Sequence, residues 1–177
     1  QFELLPVQAG DTVFLGDSIT EGGAWDELFP GVAVRNRGIG GDVTAGVLKR
    51  LHQVTDGKPG KVFLLIGTND LAQDIAPADV AKNINKIIDG ISSSSPGTQV
   101  YVQSVLPRAA DYRDAVEELN GLLKSSIVGK AEWIDLYPLF VDSADGSIRN
   151  DLSNDVLHLI GQGYLVWRDA IREQVGK

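Results

Sequence analysis

The chain has 177 residues and carries 24 acidic against 16 basic side chains, a formal net charge of −8. That balance argues against nucleic acid or an anionic membrane surface as the main partner, because both reward a basic patch. With 43% hydrophobic and 23% charged residues, the composition is that of a globular protein with a sizeable core in one domain, 1–177. No apolar run approaches the length of a membrane span, so no integral membrane contact is expected. Cysteine is absent, which excludes a disulfide framework, a thiolate nucleophile and a zinc–thiolate site. The chain opens at Gln1 and holds no Met, so its natural start is expected to have been removed, by processing or by design. A cleaved leader would fit a secreted or periplasmic protein, and zero cysteine is equally compatible with the cytoplasm. No signal in the sequence sets an oligomeric state.

Five apolar segments read as strands, and helical periods alternate with them. The first strand is "TVFL" (12–15), the second "VAVRN" (32–36). Val43, Val47, Leu48 and Leu51 then share one helical face. "KVFLLIG" (61–67) is a nearly unbroken apolar run of the kind found in a central parallel strand. Val80, Ile84, Ile87, Ile88 and Ile91 repeat at three and four and predict a long helix. "SSSSPGT" is a loop before the fourth strand, "QVYVQSVL" (99–106). A helix with Val116, Leu119, Leu123 and Ile127 on one face precedes the fifth, "AEWIDL" (131–136). The last helix spans about 161–175, with Tyr164, Trp167, Ile171 and Val175 at helical spacing. Such alternation implies a parallel sheet with helices on both faces, and a site at the carboxyl ends of the strands.

Those ends carry chemistry. After the first strand come Gly16, Asp17 and Ser18; after the second, "RGIGGD"; after the third, Gly67, Thr68, Asn69 and Asp70; before the last helix, "NDVLHLIGQGY". A serine at a strand-to-helix turn exposes its hydroxyl, and its own N–H faces the same way at a helix N-terminus. Gly41 permits close backbone approach, and Asn69 supplies a side-chain amide. His158 can take the serine proton, and Asp155, three residues earlier, can hold the imidazole. Each piece also has a plain structural reading. Ser18 and Asp17 can cap a helix, "GTND" can be a turn, and an isolated Asp-x-x-His can be a surface pair. Their joint occurrence, in order and after the right elements, favours a nucleophile, a base with its orienting acid, and an oxyanion hole of Ser18, Gly41 and Asn69. Asp17, Asp42 and Asp70 are read as loop-holding groups and His52 as a surface or partly buried residue without a catalytic role. No cluster has metal-ligand spacing, so no metal is expected.

"GDSIT", "RNRGIGGD", "GTND" and "DVLHL" together resemble the four blocks of the SGNH hydrolases, also called the GDSL-type esterase and lipase superfamily. "NRGIGGDVTAGVLKRL", "LLIGTNDL" and "SVLPR" are most similar to the branch containing platelet-activating-factor acetylhydrolase catalytic subunits and bacterial carbohydrate and sialate acetylesterases. The resemblance implies an α/β fold, a three-layer α/β/α sandwich on a five-stranded parallel, flavodoxin-like sheet. It also implies no cofactor, and a small-molecule ester substrate with a short acyl group. The last block departs from the usual Asp-Gly-Leu-His-Leu-Asn: Val156 stands for the glycine and Ile160 for the asparagine. A positive φ at Val156 would strain a β-branched residue.

Ile19, Thr68 and Leu157 adjoin these blocks and either line a small acyl pocket or simply pack. Arg108 and Tyr112, after the fourth strand, either meet a sugar or charged head group or sit in a solvated loop. Trp25 is read as helix packing, with sugar stacking as its alternative. The expected activity is an O-acetylesterase acting on a carbohydrate or other small polar alcohol. The alternatives are a lysophospholipase or acyl-thioesterase, a binding module on an inactive scaffold, and an acyltransferase.

Overall fold

The computed structural model describes residues 1–176. Five parallel strands form one sheet in the order β2-β1-β3-β4-β5. They are β1 (Thr12–Gly16), β2 (Val34–Gly38), β3 (Lys61–Leu65), β4 (Gln99–Gln103) and β5 (Glu132–Ile134). The chain steps from β1 to one side for β2, then to the other side for β3. This leaves a topological switch point beside β1, where the loops diverge and open a crevice.

Alternation along each strand sorts two chemically different cores. Val13, Leu15, Val62, Leu64, Val100 and Val102 face one way. The branched aliphatic surface they make is covered by α3 (Thr44–Lys49), α4 (His52–Thr55), α6 (Pro77–Ser94) and α7 (Arg113–Ser126). α6 supplies Val80, Ile84, Ile87, Ile88 and Ile91, all buried, from the repeat at three and four seen in the sequence. Phe14, Phe63, Leu65 and Tyr101 face the other way. They meet α2 (Trp25–Leu28), α8 (Tyr137–Phe140) and α9 (Gly161–Gly176) through Trp25, Phe140, Trp167 and Ile171. Phe14 stacks on Trp25 at 3.9 Å and on Phe63 at 5.2 Å, and Trp167 meets Trp25 edge-on at 4.7 Å. Trp25, only 1% exposed, is thus a packing residue, and its sugar-stacking alternative is set aside.

Boundaries differ from the sequence expectation in instructive ways. The second strand lies two residues later than expected, because pairing of Thr12 with Val34 carries the ladder on to Gly16 and Gly38. β3 and β4 stop at Leu65 and Gln103, although the apolar runs continue. Ile66, Val105 and Leu106 are buried beyond the ladder, so hydrophobicity overran strand length. The helical period at 43–51 is split into α3 and α4 around Arg50, whose side chain turns inward to the strand ends.

Truncating Phe14 to Ala removes the centre of the aromatic stack. Urea denaturation should show a loss of about 3–5 kcal/mol, as for other buried Phe→Ala changes.

Candidate active site

The loops that leave β1, β2 and β3 converge with the segment before α9. Gly16 closes β1, and a Cβ there would lie 2.2 Å from Thr20 Oγ1 and 2.3 Å from the Leu65 carbonyl. Only glycine lets the chain turn this tightly into α1 (Ser18–Glu21). Asp17 caps that turn: its Oδ1 accepts the Ile19 N–H at 3.0 Å. The N–H of Ser18, at the start of α1, has no backbone partner among the described residues.

Ser18 Oγ lies 3.0 Å from His158 Nε2, across 140 residues of sequence. His158 Nδ1 lies 2.7 Å from Asp155 Oδ2. The other oxygen of Asp155 is equally committed, accepting the backbone N–H of His158 at 2.7 Å and of Leu157 at 3.0 Å. The Ser153 hydroxyl adds a third donor at 3.3 Å. Donation from the His158 ring, followed by these N–H groups, holds the Asp155 carboxyl down at about 2. One carboxylate therefore shapes the turn and orients the ring. The cost falls on Val156, whose φ is +58° although it is β-branched.

The second loop carries Gly41 at φ +75°, a conformation that suits a residue without Cβ. Its anchor is Asp42, which pairs with Arg50 at 2.8 Å, both side chains largely buried. Arg50 Nη2 also donates to the Gly16 carbonyl at 3.1 Å and the Arg37 carbonyl at 3.0 Å, joining the carboxyl ends of β1 and β2. Asn69 sits in α5 (Thr68–Ala72), directly after β3, and one amide hydrogen donates to the Asp42 carbonyl at 2.9 Å. The second hydrogen of that amide stays available. Fully buried Asp70 accepts the Thr44 N–H at 3.0 Å and the Thr44 hydroxyl at 2.5 Å, which ties α5 to α3.

The remaining sequence candidates lie at the edges of this cluster. Ile19 is 1% exposed within the aromatic-side core, and Leu157 packs partly buried against the same core. Thr68 is buried. Its carbonyl and hydroxyl receive Arg108 Nη1 at 3.0 and 3.2 Å. Arg108 stacks on the Tyr112 ring at 3.9 Å. Exposed His52 lies on α4, away from these contacts. Ser153, Thr44 and Arg50 escaped sequence reasoning. Only the Asp42–Arg50 spacing, two turns apart along a helical stretch, could have hinted at a pair. The described residues contain no cluster of acidic, His or Cys side chains suited to a metal ion.

Asp17 is the electrostatic anomaly of the cluster. It is fully buried, and its Oδ2 has no partner among the described residues. Burial pushes its carboxyl up to about 7, against the opposing pull of the Ile19 N–H and of His158.

A strand-end serine in line with a histidine and a carboxylate, beside unpaired N–H groups, is the equipment of an acyl-transferring hydrolase. Comparison with known proteins agrees. The model of the GDSL-like lipase/acylhydrolase family matches residues 14–166, and the chain belongs to that family of carboxylic ester hydrolases. Over 165 residues it is 33% identical to platelet-activating factor acetylhydrolase IB subunit alpha2 of Rattus norvegicus, covering 87% of this chain and 71% of that one. Among solved structures, it matches a putative acylhydrolase from Bacteroides fragilis with a TM-score of 0.86 at 25% identity, over 99% of this chain and 92% of the other. A putative platelet activating factor from Streptococcus pneumonia gives a TM-score of 0.81 at 28% identity, over 96% and 85%.

Two stability measurements check the electrostatics and the strain. The folded-state carboxyl of Asp17 titrates near 7 rather than 3.8, so the native state holds a proton that the unfolded chain has released. Its contribution to stability therefore falls as pH rises between about 4 and 7. Asp17→Asn should gain stability relative to the parent as the buffer moves from pH 5 to pH 8, read from urea midpoints. Val156→Gly should raise stability by roughly 0.5–1 kcal/mol, the relief of a left-handed β-branched residue less the extra entropy of glycine. A loss in that variant would show that Val156 is not strained.

Proposed function

We propose that the protein hydrolyses short-chain esters, acetyl esters first, of a carbohydrate or other small polar alcohol through an acyl-enzyme on Ser18. The observation that carries this reading is the continuous line from Asp155 through His158 to Ser18, at 2.7 and 3.0 Å. His158 takes the Ser18 proton as Oγ attacks the ester carbonyl. The carbonyl π electrons move onto oxygen, where the N–H groups of Ser18 and Gly41 and the free amide hydrogen of Asn69 receive them. Asp155 stabilises the imidazolium. His158 then protonates the departing alcohol, and water, activated by the same imidazole, releases the acid.

The acetyl preference rests on the 33% identical relative, named an acetylhydrolase. One observation favours the longer-chain alternative, a lysophospholipase or acyl-thioesterase. Ile39 and Val156, on the two loops flanking Ser18, are 37% and 43% exposed and offer apolar surface to an acyl chain.

Initial rates on p-nitrophenyl esters from acetate to octanoate separate the two. Acetate should give the highest kcat/KM, and a maximum at hexanoate or beyond would move the assignment to longer acyl substrates. Ser18→Ala and His158→Ala should fold normally by circular dichroism and lose nearly all turnover. Asn69→Ala should lower kcat by about a hundredfold or more with little change in KM, the signature of a donor used in the transition state. Full activity in Ser18→Ala would remove the nucleophile assignment.

A further inference from the structure

Arg108 is bonded in an unusual way for a residue at the rim of an acidic protein. Its Nη1 gives both hydrogens to Thr68, one to the carbonyl at 3.0 Å and one to the hydroxyl at 3.2 Å. Its plane lies 3.9 Å from the centre of the Tyr112 ring. Its Nε is buried without a partner. Nη2 has no hydrogen-bond partner among the described residues, and it is not a buried atom. The guanidinium is therefore immobilised on three sides and open on the fourth. Thr68 is the neighbour of Asn69 in α5, so Arg108 is tied to the turn that carries the amide assigned to the oxyanion.

The side of the site it occupies can be read from the packing. Ile19 and Leu157, the apolar neighbours of Ser18, belong to the aromatic-face core. Tyr112, the platform of Arg108, packs against the aliphatic-face core on the opposite side of the sheet. The apolar neighbours of Ser18 and the platform of Arg108 thus pack on opposite faces of the sheet. The other guanidinium near the loops, Arg50, is occupied by Asp42 and two carbonyls. With a net charge of −8, the protein as a whole repels anions. A fixed cation with an open donor reverses that locally, and a planar guanidinium held in advance binds an oxyanion with little entropy loss.

We propose that Arg108 is a specificity-determining residue that binds a negatively charged group, carboxylate or phosphate, on the alcohol part of the ester. The proposal rests on Ser18 being the nucleophile of that same site.

The test compares three acetyl esters of one phenol framework: 3-acetoxybenzoate, 3-acetoxyphenyl phosphate and neutral 3-acetoxybenzamide. The parent should favour at least one charged ester over the amide by roughly tenfold in kcat/KM, and which one identifies the anion. Arg108→Gln should abolish that preference through KM, and Arg108→Lys should restore part of it. Equal losses on charged and neutral esters in Arg108→Gln would mean that Arg108 only holds the Thr68–Asn69 turn, and would overturn the proposal. So would a parent enzyme with no preference for either anion. The nucleophile assignment fails separately, through turnover that survives in Ser18→Ala. Calorimetric titration of Ser18→Ala with the three esters then reads the anion preference without chemistry. Binding of the charged esters that disappears in Ser18→Ala/Arg108→Gln supports the anion site, and equal binding of charged and neutral esters overturns it.

Discussion

Where the ladder of a parallel sheet stops, the loops that follow must be held by donors from outside the strands, because a buried carbonyl without a donor is costly. Arg50 answers this constraint where the site is built. A single guanidinium donates to the Gly16 carbonyl that ends β1, to the Arg37 carbonyl one residue before the end of β2, and to the carboxylate of Asp42. The Gly41–Asp42 loop is thereby fixed to the same strand ends that present Ser18. Asp70, in the α5 that follows β3, accepts the N–H and hydroxyl of Thr44 and so ties α5 to the start of α3. Asn69, between these two anchors, reaches the Asp42 carbonyl. Three loops that would otherwise move independently form one rigid frame around the serine, which is what preorganised stabilisation of a developing charge requires.

The histidine comes from outside that frame. Its segment has little sheet support and is held by its own side chains. Asp155 accepts four hydrogen bonds within five residues of chain, from the Ser153 hydroxyl, the Leu157 and His158 N–H groups and the His158 ring. Such a compact knot explains how Val156 can be kept at positive φ, since the surrounding bonds over-determine the turn. It also separates two acids by environment. Asp155, exposed but richly bonded, stays ionised. Asp17, buried with one bond, holds its proton up to about neutrality. Two carboxyls near the same histidine are thus set apart chiefly by solvation and hydrogen bonding.

Much of this was legible in the sequence because it depends on local patterns. Alternating apolar runs and helical repeats gave the strand and helix order, since burial of one face is a requirement on spacing. Four short polar blocks after the right elements gave Ser18, Gly41, Asn69, Asp155 and His158 as a group. Val156 was foreseeable as the residue under strain, because glycine and valine differ sharply in their tolerance of positive φ. Strand ends were less legible. Ile66, Val105 and Leu106 are as apolar as the strands they follow, and burial does not distinguish a ladder residue from a buried loop residue.

What the sequence determined by itself was the candidate set of reacting groups and the layered α/β order that brings strand ends to one rim. What the tertiary structure decided was every relation between residues far apart in the chain. It placed Ser18 at 3.0 Å from His158 and Arg108 on Thr68, and it assigned Arg50 to the ends of β1 and β2. It also buried Trp25 in the core, in keeping with its reading as a packing residue. The reason is physical: periodicity and turn chemistry act over a few residues, whereas hydrogen bonds and burial across 13 to 140 residues exist only once the sheet has set its register.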